Sequence, residues 1–154
     1  MSAAMTAVDV TADWYWEGNV VRALAQFLSE SGWTITGLAD TRSKARGVDL
    51  EATKAGETLV VEAKGYPSSH YRDPRKAAEK KSTNPASQAQ QWYSHALLKG
   101  MRLQNLYPES KVALAFPDFP RYRTLYGETE GGLRQLGIGL FFVRENGEVT
   151  PLDM

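Results

Sequence analysis

Cysteine is missing from all 154 residues, which excludes a disulfide framework, a thiolate nucleophile and any cysteine-ligated zinc site. Histidine is nearly as scarce. His70 and His95 stand alone, without a second histidine at ligand spacing, so surface or structural roles are expected of both rather than zinc binding. Ser68 and Ser69 next to His70 do not make a triad, because adjacency in sequence says nothing about triad geometry. No apolar run reaches the roughly 18 residues of a membrane span, and the opening "MSAAMTAVDVTAD" lacks a basic segment followed by an apolar one. Residues 1–12 therefore read as a flexible tail, residues 13–154 as a single domain, and cytoplasm as the expected compartment. There is also no net charge. Eighteen basic residues balance eighteen acidic ones, so the bulk field gives no signal for a polyanionic partner.

Local charge is uneven all the same. Between Tyr66 and Lys81 stand Arg72, Arg75, Lys76, Lys80 and Lys81 against only Asp73 and Glu79, and Arg42, Lys44 and Arg46 cluster just before Asp49. Such runs are ordinarily solvated loops. "RYR" at 121–123 reads as phosphate-contacting or as plain surface helix, and Trp14, Tyr15 and Trp16 as core or a dimer surface rather than a base-stacking platform.

The chain punctuates clearly. Asp13 is placed to cap a helix in which Val20, Val21, Leu24, Phe27 and Leu28 recur at helical spacing up to Gly32. Glu17 projects from that apolar face one turn nearer the N-terminus, where the helix dipole alone would favour a carboxylate. "WTITGL", "VDLEAT" and "TLVVEAKG" then read as three successive strands of a meander. In the second, Val48, Leu50 and Ala52 are expected on one face and Asp49 and Glu51 on the other. Residues 66–85 read as a long loop. A helix over 86–106 follows, with Gly100 weakening its middle, and Pro108 ends it. "KVALAF" and "IGLFFV" are buried strands, separated by helical material expected to break at Gly131 and Gly132, and "VTPL" is a last edge strand after the "ENGE" turn. A run of strands followed by helical crossovers means an α/β fold, a mixed sheet flanked by helices.

Within "TLVVEAKG", Glu62 and Lys64 project from one strand face and Val61 and Ala63 from the other. An acid-x-lysine triplet is weak on its own, and the chain has three: Glu62-Ala63-Lys64, Glu79-Lys80-Lys81 and Glu109-Ser110-Lys111. Only the first lies on an internal strand preceded by a strand with its own acid, Asp49. Asp49 with Lys64 also reads as a simple cross-strand ion pair.

The stretch "GVDLEATKAGETLVVEAKG" resembles the PD-(D/E)XK, or restriction-endonuclease-like, nuclease superfamily, with Asp49 in the aspartate place and Glu62-Ala63-Lys64 as the E-x-K element. Val48 rather than proline precedes the aspartate. The resemblance covers roughly Asp13 to Phe116 and implies an αβββαβ core and a metal-dependent endonuclease acting on DNA, with RNA not excluded. It implies Mg²⁺ or Mn²⁺ held by Asp49, Glu62 and the Ala63 carbonyl, with Glu17 as a further acidic ligand. Lys64 would hold the attacking water or stabilise charge on the phosphate, and Gln88, or Gln91, would orient Lys64 or contact a phosphate. Arg42, Lys44, Arg46, Arg72, Arg75, Lys76, Lys80 and Lys81 would bind the nucleic-acid backbone. A duplex cutter needs two active sites, so a homodimer or a partner specificity subunit is expected, serving restriction, phage defence or repair. The other reading is a non-catalytic nucleic-acid-binding or assembly subunit that keeps the fold.

Overall fold

The computed structural model describes residues 12–39, 47–67 and 84–154. Helix α1 (Glu17–Glu30) precedes three strands, β1 (Thr34–Leu38), β2 (Leu50–Lys54) and β3 (Glu57–Ala63). Helix α2 (Pro85–Leu106), β4 (Lys111–Pro117), α3 (Pro120–Leu136), β5 (Ile138–Val143) and β6 (Val149–Leu152) complete the chain. All six strands form one sheet in sequence order. The pairs β1–β2, β2–β3 and β5–β6 are antiparallel, while β3–β4 and β4–β5 are parallel. Each parallel step requires a crossover, which α2 and α3 supply. The protein is thus an α/β fold built on a mixed sheet flanked by helices.

The two sheet faces are covered by different helices. Val21, Leu24 and Leu28 of α1 pack on Leu50, Ala52, Leu59, Val61, Ala63, Ala113, Ala115 and Phe141. On the opposite face Ala89, Tyr93 and Ala96 of α2 and Tyr122, Leu125 and Leu133 of α3 pack on Leu114, Phe116, Leu140 and Phe142. Strand β4 is buried from Val112 to Pro117, as its continuous apolar sequence requires of a strand covered on both sides. Helix α2 runs antiparallel to β4: Tyr93 stacks on Phe116 at 4.9 Å, and further along the helix Leu103 packs with Val112. The N-terminal turn of α2 therefore lies at the sheet end where β3 and β4 finish.

Three local expectations change, and Gly100 gains a packing role. The helix begins at Glu17 with Trp16 as its N-cap, while the Asp13 backbone carbonyl accepts from the Trp16 N–H at 3.0 Å and the Asn19 side-chain amide at 2.7 Å. Gly131 and Gly132 do not interrupt α3, which reaches Leu136 and stops at Gly137 in the left-handed conformation, φ 74°. Gly100 makes close packing possible, since a Cβ there would stand 3.1 Å from Leu114 Cδ2. Val48 lies on the α2 side with Val60, Leu103 and Val112, opposite Leu50 and Ala52, because regular pairing starts only at Leu50.

Candidate active site

Strand alternation sets the site at the C-terminal end of β3. Val60 faces the α2 side and Val61 and Ala63 face α1, so Glu62 and then Lys64 face α2. Glu62 is 9% exposed and is the one charged residue among the buried side chains of the described residues. Lys64 Nζ lies 3.4 Å from Glu62 Oε2.

Asp49 reaches the same place by a different route. Its N–H bonds the Val61 carbonyl at 3.1 Å, and its carboxylate Oδ2 accepts from the Ala63 N–H at 2.8 Å, continuing the β2–β3 ladder with a side chain where the strand itself has not begun. Residues two apart in a strand turn their backbone groups to the same side. The Ala63 carbonyl therefore points toward Asp49, as that of Val61 does.

The electrostatics are unusual. The Glu62 carboxyl is pushed up to about 7, first by burial, then by the negative charge of Asp49 and a hydrogen bond shared with it. Lys64 pulls the other way and does not win, because desolvation of the carboxylate and repulsion by Asp49 act together. Two carboxylates side by side at one strand end repel each other, and a cation between them would relieve that repulsion.

Glu17 opens α1 and adds a weaker negative influence on Glu62. It does not close a tight three-carboxylate group: among the described residues no set of three or more histidines, aspartates and glutamates lies at metal-holding distance. Gln88 sits in the first turns of α2, and its Oε1 is buried with no hydrogen-bond partner among the described residues. Gln91 is exposed.

Two further residues hold the site together. A Cβ on Gly65 would stand 2.6 Å from the Tyr15 carbonyl oxygen and 2.8 Å from the Glu17 nitrogen, so the lack of a side chain there lets the start of α1 press against the end of β3. Tyr122, fully buried on α3, donates from its hydroxyl to the Gly65 carbonyl at 2.7 Å. The glycine after Lys64 was a visible signal. Tyr122 had none beyond its apolar spacing.

The aromatic residues form a local core: Phe119 meets Trp14 at 5.4 Å, Tyr15 at 5.3 Å and Tyr66 at 4.0 Å. Arg123 is engaged with Asp118 at 2.7 and 2.8 Å and lies over Phe142. Arg121 instead donates to the Ala86 carbonyl and to Gln90 Oε1 at the start of α2. The basic residues Arg42, Lys44, Arg46, Arg72, Arg75, Lys76, Lys80 and Lys81 and His70 fall outside the described residues. Among the described residues no helix is long and apolar enough to cross a membrane.

No family model and no curated protein matches this chain. Two solved structures share its fold. An XisH family protein from Nostoc punctiforme PCC 73102 superposes with a TM-score of 0.52 at 17% identity, over 86% of this chain and 98% of that one. An fdxN element excision controlling factor protein from Anabaena variabilis does so with a TM-score of 0.52 at 15% identity, over 88% and 98%. At these identities the likeness is one of fold.

The donor set suits a hard divalent cation. Mg²⁺ takes oxygen ligands, commonly one or two carboxylates with the remainder water, and Asp49 and Glu62 with the Ala63 carbonyl offer that combination. The buried Gln88 Oε1, which has no hydrogen-bond partner among the described residues, adds a polar atom that needs a donor.

Proposed function

We propose that this protein is a metal-dependent nuclease of the PD-(D/E)XK type, hydrolysing phosphodiester bonds in DNA. The observation that carries the reading is the Asp49–Glu62 carboxylate pair with Lys64 beside it, Glu62 being buried and held near 7. A buried carboxylate with a second carboxylate beside it costs stability, and such perturbed groups cluster at functional sites.

Asp49 and Glu62, with the Ala63 carbonyl, would hold Mg²⁺ or Mn²⁺. When bound, the ion supplies Lewis acidity toward the phosphate and lowers the pKa of water. Asp49 is fixed by the Ala63 N–H, so its remaining oxygen is aimed without further ordering. Lys64 keeps its ammonium on the same face as Glu62, where it stabilises negative charge developing on the attacked phosphate. Its own backbone is tied to β4 by the Lys64 N–H to Ala115 carbonyl bond of 3.0 Å. Gln88, at the same sheet end, orients Lys64 or a phosphate oxygen, and Glu17 acts from the second side through its charge.

The test is Mg²⁺ and Mn²⁺ binding by calorimetry, run beside cleavage of end-labelled duplex, single-stranded and branched DNA and of RNA. Metal binding lost in Asp49→Asn, with cleavage of DNA lost alongside, is the expected result. Undetectable metal binding with nucleic acid still bound would replace this reading with a non-catalytic binding or assembly subunit.

A further inference from the structure

Helix α2 differs from the other two helices in its charge. Its 22 residues include no aspartate or glutamate, whereas α1 carries Glu17 and Glu30 and α3 carries Glu128 and Glu130, in a chain with 18 acids. The N-terminal half of its outer side is made of neutral hydrogen-bonding groups. Ser87, Gln90, Gln91, Ser94 and His95 are all exposed and line one open groove. A solvated helix face ordinarily mixes charges of both signs. A face free of carboxylates lets a polyanion approach without repulsion, and glutamine, serine and histidine offer donors and acceptors that match base edges and sugar–phosphate oxygens.

One side chain links the groove to the segment that follows the candidate active site. Gln90 Oε1 accepts from Arg121 at 2.5 Å, the same guanidinium bears electrostatically on Tyr66, and Tyr66 follows Lys64 by two residues. The first turns of α2 also stand at the sheet end where β3 delivers Glu62 and Lys64.

We propose that this side of α2 is the surface that reads the nucleic acid flanking the cleaved bond, through uncharged hydrogen bonds rather than ion pairs. This inference rests on the nuclease reading. Cationic contacts to phosphate release counterions and set the slope of affinity against salt, whereas neutral contacts do not. Removing them weakens binding by the same factor at every salt concentration.

The experiment compares the Lys64→Ala chain with the same chain carrying Gln91→Ala and Ser94→Ala, by fluorescence anisotropy on labelled duplex DNA, single-stranded DNA and RNA from low to high NaCl. Both changes sit on an exposed helix face where alanine is well tolerated. The expected result is a loss of about tenfold in affinity, an unchanged salt slope, and altered preference among oligonucleotides of different sequence. Unchanged affinity, or a shallower slope, overturns the reading surface while leaving the nuclease intact if the wild type still cuts. A wild type that neither binds nor cuts any of the three nucleic acids overturns both.

Discussion

The hydroxyl of Tyr122 on α3 donates to the carbonyl of Gly65 at 2.7 Å, joining a helix of one sheet face to the peptide that follows Lys64. The bond is buried and spans 57 positions of sequence. It fixes the exit of β3 from above while α1 presses on the same glycine. Tyr122→Phe keeps the ring packing and strands the carbonyl, so a loss of about 1–3 kcal/mol is expected in denaturant unfolding. Amide exchange should quicken first at Lys64 and Tyr66, whose N–H groups bond Ala115 and Tyr15. Exchange that rises equally across β4 would show that the bond has no local role.

Gly65→Ala tests the contact from α1. The atoms a Cβ would meet are the Tyr15 carbonyl oxygen and the Glu17 nitrogen, both backbone, so the first turn of α1 must move. The expected cost is about 1–3 kcal/mol of stability. Metal-dependent cleavage should fall by at least about tenfold, since small misplacements of catalytic groups are amplified in rate. A variant as stable and active as wild type would show that the close approach is dispensable.

Much of this was legible in the chain, and what was not has physical causes. The strands over "LVVEA" and "VALAF" announce themselves because burial on both faces demands unbroken apolar residues, and Glu62 stands out as the exception within such a run. Val48 escaped because alternation holds only inside regular pairing, which begins two residues later. Gly131 and Gly132 misled because tertiary packing through Leu125 and Leu133 outweighs their poor helix propensity. Asp13 misled because its backbone carbonyl, rather than its position as a cap, engages the start of the helix. The Tyr122–Gly65 bond is invisible in sequence, since nothing local relates residues so far apart.

The acidic pair gives a pH dependence of defined sign. Glu62 rises from an ordinary 4.5 to about 7 in the folded chain, so between those values the folded state holds a proton that the unfolded state has released. The contribution of Glu62 to stability is then fully present below the lower value and declines as pH rises toward about 7, by on the order of 3 kcal/mol, before levelling off. Millimolar Mg²⁺ should oppose that decline. Thermal unfolding from pH 4.5 to 8 with EDTA or Mg²⁺ measures it, and a metal-free curve that rises over this range would contradict the assignment.

Asp49→Asn separates the two roles of Asp49. Asparagine retains an oxygen to accept the Ala63 N–H but removes the charge that repels Glu62. The Glu62 carboxyl should titrate lower in the variant, as followed by carboxyl carbon NMR, with the fold unchanged and metal affinity reduced. A Glu62 titration that stays in place would assign its elevation to burial alone.

The most direct measurement is single-turnover cleavage of labelled DNA at saturating Mg²⁺ by wild type and Lys64→Ala, each repeated with EDTA. The expected result is cleavage by wild type that EDTA abolishes, and a fall of about 10²–10³ in rate for the variant with DNA binding retained. Cleavage that survives EDTA, or that is the same in both proteins, would contradict it.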